Sequence, residues 1–531
     1  MDKKSADFAQ GAELMTLQTQ SLQGIRQSGQ IEKDWKTLIL LILVIASFAL
    51  FALKLFSMQV VEGASYRNRS VTISSRSKTI AAQRGEIYDR NASSPLVIST
   101  DSFAVDITPG EIPKDEYDTV AVKLAGFLGI SKVSIDAKVP PPMRTSFSSI
   151  EVKAKVPFSE ITNIAENISD LPGISWRSKP NRNYLETGSI SHVIGYVGDI
   201  TRDELKILYN QGYTNTSVVG KTGIEKQYDS VLQGKAGSES ATVDVRGRLM
   251  SPKPVVTAPE MGENLVLTID TRIQRLAEEA LGRRVGAAVV LNAGTGEILA
   301  MASYPYFDAN TISSGGSISG GENNPFLNRT VNAVYPPAST FKIVMTTANL
   351  AENAFPKERT IECTGSITYG GRTFHCHVYP GRHGFMNLQN ALAQSCNVYY
   401  WTVGRDSLGV DQISYYANIF GIGEPLEIDL PVSSDGFMPT AQWKERRYHE
   451  KWMGGDTMGI SIGQGYTLVT PLHMANVAAM VANGGKIYRP HLLKEVRDPG
   501  TGEVISRVEP EILHESSIPQ ETWRLVQSYM R

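Results

Sequence analysis

Ser339 and Lys342 stand three residues apart in the run Tyr335-Pro-Pro-Ala-Ser-Thr-Phe-Lys-Ile-Val-Met345. The two prolines stop whatever precedes them, and the spacing predicts a helix over 339–352 whose first turn carries Ser339. Side chains three apart share one helical face, so the amine reaches the hydroxyl. An amine neutralised by burial can take the hydroxyl proton, and a helix N-terminus favours negative charge developing beside Ser339. The pattern alone is weak: a second copy, Ser75–Lys78 in SSRSK, reads as solvated surface. A second element strengthens it. Ser395-Cys396-Asn397 lies between the apolar NLQNALAQ and the aromatic VYYW. A Ser-x-Asn turn between helices offers a hydroxyl for proton relay and an amide to hold a peptide-like substrate. Beside a nucleophile, that reading outweighs a simple helix cap.

The elements that must position these residues follow from the rest of the chain. Its 531 residues are enough for about three domains. Hydrophobic residues make up 41% and charged residues 20%, an ordinary globular balance that excludes disordered, collagenous and polytopic membrane classes. The net charge of -2 gives a nucleic-acid partner no support. The run TLILLILVIASFALFAL from Thr37 to Leu53 carries no charge, and beyond Lys54 the chain stays apolar to Val61. With Lys54 snorkelling, this stretch spans a bilayer, and no small-x-small cleavage site follows it. Lys33 and Lys36 just before it place the N-terminus in the cytoplasm. Residues 1–36 are then a cytoplasmic tail, 37–57 a single-pass anchor, and the remainder lies outside the cytoplasmic (inner) membrane.

From 58 to 255 short β-type runs mix with helical pieces and polar links; from 256 to 531 strands and helices interleave as in an α+β catalytic domain. GAAVVLNAGTGEILAMAS reads as two buried strands joined at Ala293-Gly-Thr-Gly296, with helices at 271–281, 388–409 and 470–483. The segment SSGGSISGGENN at 313–324 is a low-complexity loop. Cys363, His375, Cys376, His377 and His383 gather within a short stretch, but no Cys-x-x-Cys or His-Glu-x-x-His spacing supports a metal, and none is expected. Cys363 and Cys376 flank a hairpin turning at Tyr369-Gly-Gly371, a candidate cross-strand disulfide in an oxidising compartment. Cys396 is read as a buried thiol.

Ser-x-x-Lys and Ser-x-Asn belong to the set that class A β-lactamases and penicillin-binding proteins share with a third element, Lys-Thr-Gly. From Thr37 onward the chain resembles the class B penicillin-binding proteins. Arg84-Gly-Glu-Ile-Tyr-Asp-Arg90 is similar to that family's Arg-Gly-x-Ile-x-Asp-Arg signature. Val219-Gly-Lys-Thr-Gly-Ile-Glu225-Lys-Gln-Tyr228 is similar to its Gly-x-x-Gly-Ile-Glu-x-x-Tyr element. Gly455-Asp-Thr-Met-Gly-Ile-Ser-Ile-Gly-Gln-Gly465 with Thr470-Pro471 resembles the segment after Ser-x-Asn. Ala338 departs from the family's usual Gly before the serine. The interdomain stretch VGDITRDELKILYNQGYTNTSVVGKTGIEKQYDSVLQGKAG is closer to the elongation branch than to the division branch. No Glu-Asp-x-x-Phe signature of a glycosyltransferase appears in 58–255.

The resemblance implies a membrane anchor, an elongated pedestal or dimerisation domain (58–255) and a β-lactamase-like transpeptidase domain (256–531). Ser339 would be the nucleophile, Lys342 its base, Ser395 the proton relay and Asn397 the holder of the donor peptide. The substrates implied are peptidoglycan stem peptides, with β-lactam antibiotics as mimics and no cofactor. The partners implied are a SEDS-type, RodA-like glycosyltransferase and other elongation-complex proteins. Lys221-Thr-Gly223 spells the third motif but belongs to the pedestal element, and no such triplet follows Asn397. The transpeptidase domain is therefore expected to be incomplete at its C-terminus and the chain as it stands to turn over poorly, an inactive scaffold being the other outcome. Arg84, Asp89 and Arg90 are expected to do interdomain structural work, and charge reversal of Glu86 or Asp89, next to Arg84 and Arg90, is expected to disturb pedestal geometry.

Overall fold

The computed structural model describes residues 35–63, 75–185, 188–214, 217–242, 255–316 and 323–531. The chain divides into two units, Met1–Arg76 with Ala241–Pro252, and Ser77–Ser240 with Lys253–Arg531. In the first, Trp35–Phe56 is an α-helix continued by a wider turn at Ser57–Val61. Its apolar stretch Leu38–Val61, with mean hydropathy 2.8, is long and apolar enough to cross a bilayer, and none of it is buried. The cytoplasmic tail expected over 1–36 lies, up to residue 34, outside the described residues.

Among the described residues the second unit holds three large cores and a small fourth one. A pedestal core forms where Phe103–Ile107 pairs antiparallel with both Ile150–Val156 and Ile174–Ser178. The helices Tyr117–Leu128 and Phe158–Glu166 cover that sheet through Leu124, Leu128, Ile161 and Ile164. The catalytic core is built around the helix Lys342–Glu352, with Phe341, Met345, Tyr399, Tyr400, Phe420 and Trp523 all buried. Between them lies a third core containing Ile87, Val97, Ile224, Leu265 and Leu492.

That middle core sits on one six-stranded sheet, ordered Val504–Arg507, Leu493–Arg497, Asn264–Leu267, Ile87–Tyr88, Pro95–Thr100, Asn181–Tyr184. Asn264–Leu267 pairs parallel with Ile87–Tyr88 and antiparallel with Leu493–Arg497. Strands from both sides of the expected junction near 255 thus hydrogen-bond in a single sheet. The expected helix Thr271–Leu281 forms, capped by Asp270, and packs its apolar stripe on the hairpin of Gly286–Leu291 with Ile298–Tyr304. The helix expected at 470–483 is Pro471–Asn483, with Thr470 capping it and Gly484 closing it in a left-handed conformation.

The arginine-rich signature is structural, and its ion pairs run to residues distant in the chain. Arg84 donates to Glu225 at 2.6 Å and pairs with Asp229 at 2.6 Å, while Arg182 reaches the other oxygen of Glu225 at 2.7 Å. Glu86 instead accepts from the Tyr88 hydroxyl, and Asp89 from Thr271 at 3.1 Å. Glu225 is fully buried between two guanidinium groups, so its carboxyl is held below the ordinary carboxylate range by Arg182 and Arg84, against the pull of burial. Lys221-Thr-Gly223 belongs to the same region: Lys221 pairs with Glu204 at 2.6 Å, and Gly223 packs on the backbone of Val193 and Gly195. It builds the pedestal junction.

Removing one member of a buried ionic trio strands the others without water. Glu225→Gln is expected to lower unfolding stability by about 3–5 kcal/mol, read as a fall in denaturant midpoint.

Candidate active site

The serine does not lie in an α-helical turn. Ala338–Phe341 is a short 3-10 turn, and the α-helix starts at Lys342. Ser339 is exposed while Lys342, one turn on, is completely buried. The tighter turn is set by Ala338, whose φ of 51° lies in the left-handed region. A β-carbon there is unfavourable by about 1–2 kcal/mol, which accounts for the Gly usual in the family at this point. Ala338 is held by its N–H, which donates to the carbonyl of Gly463 at 2.8 Å. A β-carbon on Gly463 would approach the Ala338 oxygen to 2.3 Å and the Phe341 β-carbon to 2.7 Å. Gly-Gln-Gly465 is therefore the backstop of the nucleophile turn.

The helical stretch over 388–409 divides at the expected turn, where the second motif sits. Leu388–Ala393 ends, Ser395 turns left-handed with φ 54°, and a new helix runs Asn397–Val403 before a wide turn at Gly404–Leu408. The reversal aims both oxygens of Ser395 at Lys342. The lysine Nζ donates to the Ser395 carbonyl at 2.8 Å, the Ser395 hydroxyl at 3.0 Å and Asn397 Oδ1 at 2.6 Å. It lies 3.2 Å from Ser339 Oγ. All four expected residues thus meet at one amine. Burial lowers the Lys342 pKa to about 8, against a smaller raising effect of Cys376 and Cys396. The Tyr400 ring lies 5.6 Å from the amine and gives it a cation–π face, while the Tyr400 hydroxyl is occupied by Thr346 at 2.6 Å.

In the cysteine and histidine stretch the candidate disulfide does not form. The hairpin forms as expected, Ser366–Tyr369 pairing with Arg372–His375 around Gly370-Gly371. Cys363 and Cys376 flank it, Cys363 lying on Ile361–Cys363 opposite Gly384, but all three cysteines are free. Nor is the metal reading empty. Donor atoms of Cys363, Cys376, His383 and Cys396 all lie within 4.8 Å of one another. His383 Nδ1 is 3.5 Å from Cys363 Sγ and 3.7 Å from Cys376 Sγ. Zinc bonds of about 2.3 Å to sulfur and about 2.0–2.1 Å to nitrogen span a tetrahedral edge of about 3.6 Å. The four donors can hold a soft divalent cation such as Zn²⁺ in a Cys₃His set. Their spacing in the chain hides this, because the ligands come from a strand, two loops and the Ser-x-Asn turn. Since Cys396 separates Ser395 from Asn397, an ion there would clamp the turn that faces Lys342.

Two family models cover the described site and its support. Residues 79–267 match the penicillin-binding protein dimerisation domain, and residues 286–531 match the penicillin binding protein transpeptidase domain. The peptidoglycan D,D-transpeptidase MrdA of Escherichia coli K12 is 31% identical over 458 residues, covering 84% of this chain and 72% of that protein. The chain belongs to the penicillin-binding protein transpeptidases. Among solved structures, the complex of penicillin-binding protein 2 with MreC from Helicobacter pylori superposes with a TM-score of 0.72 at 27% identity, over 86% of this chain and 83% of that one. A structure titled for the coordination of polymerization and crosslinking by a peptidoglycan synthase complex gives 0.65 at 29% identity, over 93% and 84%.

Two outcomes follow from the geometry. If Lys342 is the base, β-lactam acylation rises about tenfold per pH unit up to about 8 and levels off above it; stopped-flow acylation between pH 6 and 9 checks this. If the four donors hold an ion, elemental analysis of the purified protein finds about one zinc per chain, and Cys396→Ser lowers that content and the melting temperature together.

Proposed function

We propose that the protein is a membrane-anchored peptidoglycan D,D-transpeptidase of the elongation type, working through a serine acyl-enzyme. The observation that carries this reading is the amine of Lys342, fully buried yet 3.2 Å from an exposed serine hydroxyl. An amine with a pKa near 8 is neutral often enough to accept the Ser339 proton and regains it as an acid afterwards. Ser339 Oγ attacks the carbonyl of the penultimate D-Ala of a stem peptide. The Ser339 backbone N–H is one donor to the oxygen that becomes negative, in the manner of an oxyanion hole. Ser395, hydrogen-bonded to the same amine, passes the proton to the departing amine of the terminal D-Ala. Asn397, its Oδ1 already engaged by Lys342, keeps its amide N–H₂ for the donor's backbone carbonyl. An amine of a neighbouring stem peptide then takes the acyl group, completing a cross-link and freeing Ser339. A β-lactam enters the same way and stays attached.

The elongation branch is supported by the MrdA and penicillin-binding protein 2 names of the relatives. Leu38–Val61 is the anchor, with the catalytic domain on the periplasmic side of the inner membrane. The Helicobacter protein is seen with MreC, and the synthase complex joins polymerization to crosslinking. On that footing the pedestal engages elongation-complex proteins, among them a SEDS-type, RodA-like polymerase.

In the full-length protein, Ser339→Ala is expected to abolish covalent labelling by a fluorescent penicillin without a change in melting temperature, because the hydroxyl is exposed. Lys342→Arg is expected to be nearly as severe, since a guanidinium stays protonated. Persistent labelling of the alanine variant would remove the nucleophile assignment.

A further inference from the structure

Four aromatic rings gather beside the nucleophile turn without any part in the acyl-transfer machinery. Trp443, on the helix Ala441–Tyr448, lies 4.7 Å from Phe437, 5.5 Å from Tyr448 and 5.1 Å from Tyr466, centroid to centroid. Tyr448 and Tyr466 stack at 5.6 Å. The group is not a core: Tyr448 is 47% exposed, and Phe437, Trp443 and Tyr466 are half-buried. Among the described residues the indole N–H of Trp443 and the hydroxyls of Tyr448 and Tyr466 make no hydrogen bond, so their polar tips are available to a ligand.

Its position ties it to the reaction. Tyr466 follows Gly463, the residue that accepts the Ala338 N–H, by three positions. Phe437 pairs by backbone with Leu468, and Tyr335, at the head of the serine run, pairs with Val469. The aromatic group and Ser339 are thus borne on adjacent, hydrogen-bonded backbone. The substrate of a peptidoglycan transpeptidase is a peptide carried on a glycan strand, so a surface continuous with the serine meets sugar as well as peptide. A pyranose ring offers an apolar face of C–H groups and a rim of hydroxyls. An aromatic face, negative at its centre, attracts the former, and Trp and Tyr tips bond the latter. A stem peptide, by contrast, needs backbone donors and acceptors, which this group does not provide.

We propose that Phe437, Trp443, Tyr448 and Tyr466 form a glycan-binding platform that holds a sugar ring of the strand whose stem peptide is being cross-linked. The proposal rests on the transpeptidase reading and adds to it a subsite for carbohydrate. Its consequence is selective: losing the platform weakens use of strand-borne peptide and leaves free peptide and penicillin untouched.

The test uses the full-length protein reconstituted in membranes with a glycan polymerase. Tyr448→Ala, the most exposed of the four, is compared with the parent in penicillin acylation, in transfer from a soluble pentapeptide, and in cross-linking of newly polymerised strands. Acylation and soluble-peptide transfer are expected to stay within about twofold, while strand cross-linking falls about tenfold, the scale of one lost aromatic stack. Binding of peptide-free glycan oligomers should weaken in parallel, and Tyr466→Phe, which keeps the ring, should retain most of it. Equal strand cross-linking and equal glycan binding in the parent and the alanine variant overturn the platform. So does an equal loss with soluble peptide, which would place Tyr448 in peptide binding. A parent protein that penicillin does not acylate refutes the transpeptidase reading, which the glycan-binding assay does not depend on.

Discussion

A primary amine shut away from water has to be met by oxygen atoms, and the catalytic half of this protein is arranged around that requirement at Lys342. An ammonium with no exposure is disfavoured by desolvation, and its three protons need acceptors. Ser395 and Asn397 supply three oxygens, and Ser339 lies at hydrogen-bond distance as well. The two effects oppose each other, and desolvation wins: the amine titrates near 8 rather than near 10. The same burial that would be a liability elsewhere makes the lysine usable as a base near neutral pH.

The acceptors are in place because the backbone bends unusually at two points. Ala338 and Ser395 both adopt left-handed φ values, each unfavourable for a residue with a β-carbon. The first is pinned by the Gly463 carbonyl; the second breaks one helix and begins the next. Between the oxygens of Ser395 and Asn397 sits Cys396, one corner of the thiol and imidazole cluster. Strain at the motif is thus carried by tertiary contacts on both sides, the glycine-rich backstop and the four-donor cluster.

The pedestal follows a different logic. Its link to the catalytic domain is one sheet, with Asn264–Leu267 between Ile87–Tyr88 and Leu493–Arg497. It is keyed by a carboxylate between two arginines. Such a trio is a poor source of net stability but a strong selector of arrangement, because any other register leaves a charge unpaired. It fits a support that must transmit position rather than perform chemistry.

The sequence by itself determined whatever depends on neighbours within a turn or two. The Ser339–Lys342 spacing, the helices Thr271–Leu281 and Pro471–Asn483, the Gly370-Gly371 hairpin and the apolar helix of 38–61 were legible, since helix faces, caps and turns are local. The resemblance of the motifs added the proposed roles of Ser395 and Asn397, and the exclusion of Lys221-Thr-Gly223 from the site. Tertiary structure decided the rest. The turn between helices at Ser395 was legible, but its left-handed φ, which aims both serine oxygens at Lys342, was not. Arg84 pairs with Glu225, 141 residues away. Cys363, Cys376, His383 and Cys396 have no metal-ligand spacing, yet their donors converge. Long-range pairing and burial set these outcomes, and desolvation depends on everything packed around a group, which no short window of sequence contains.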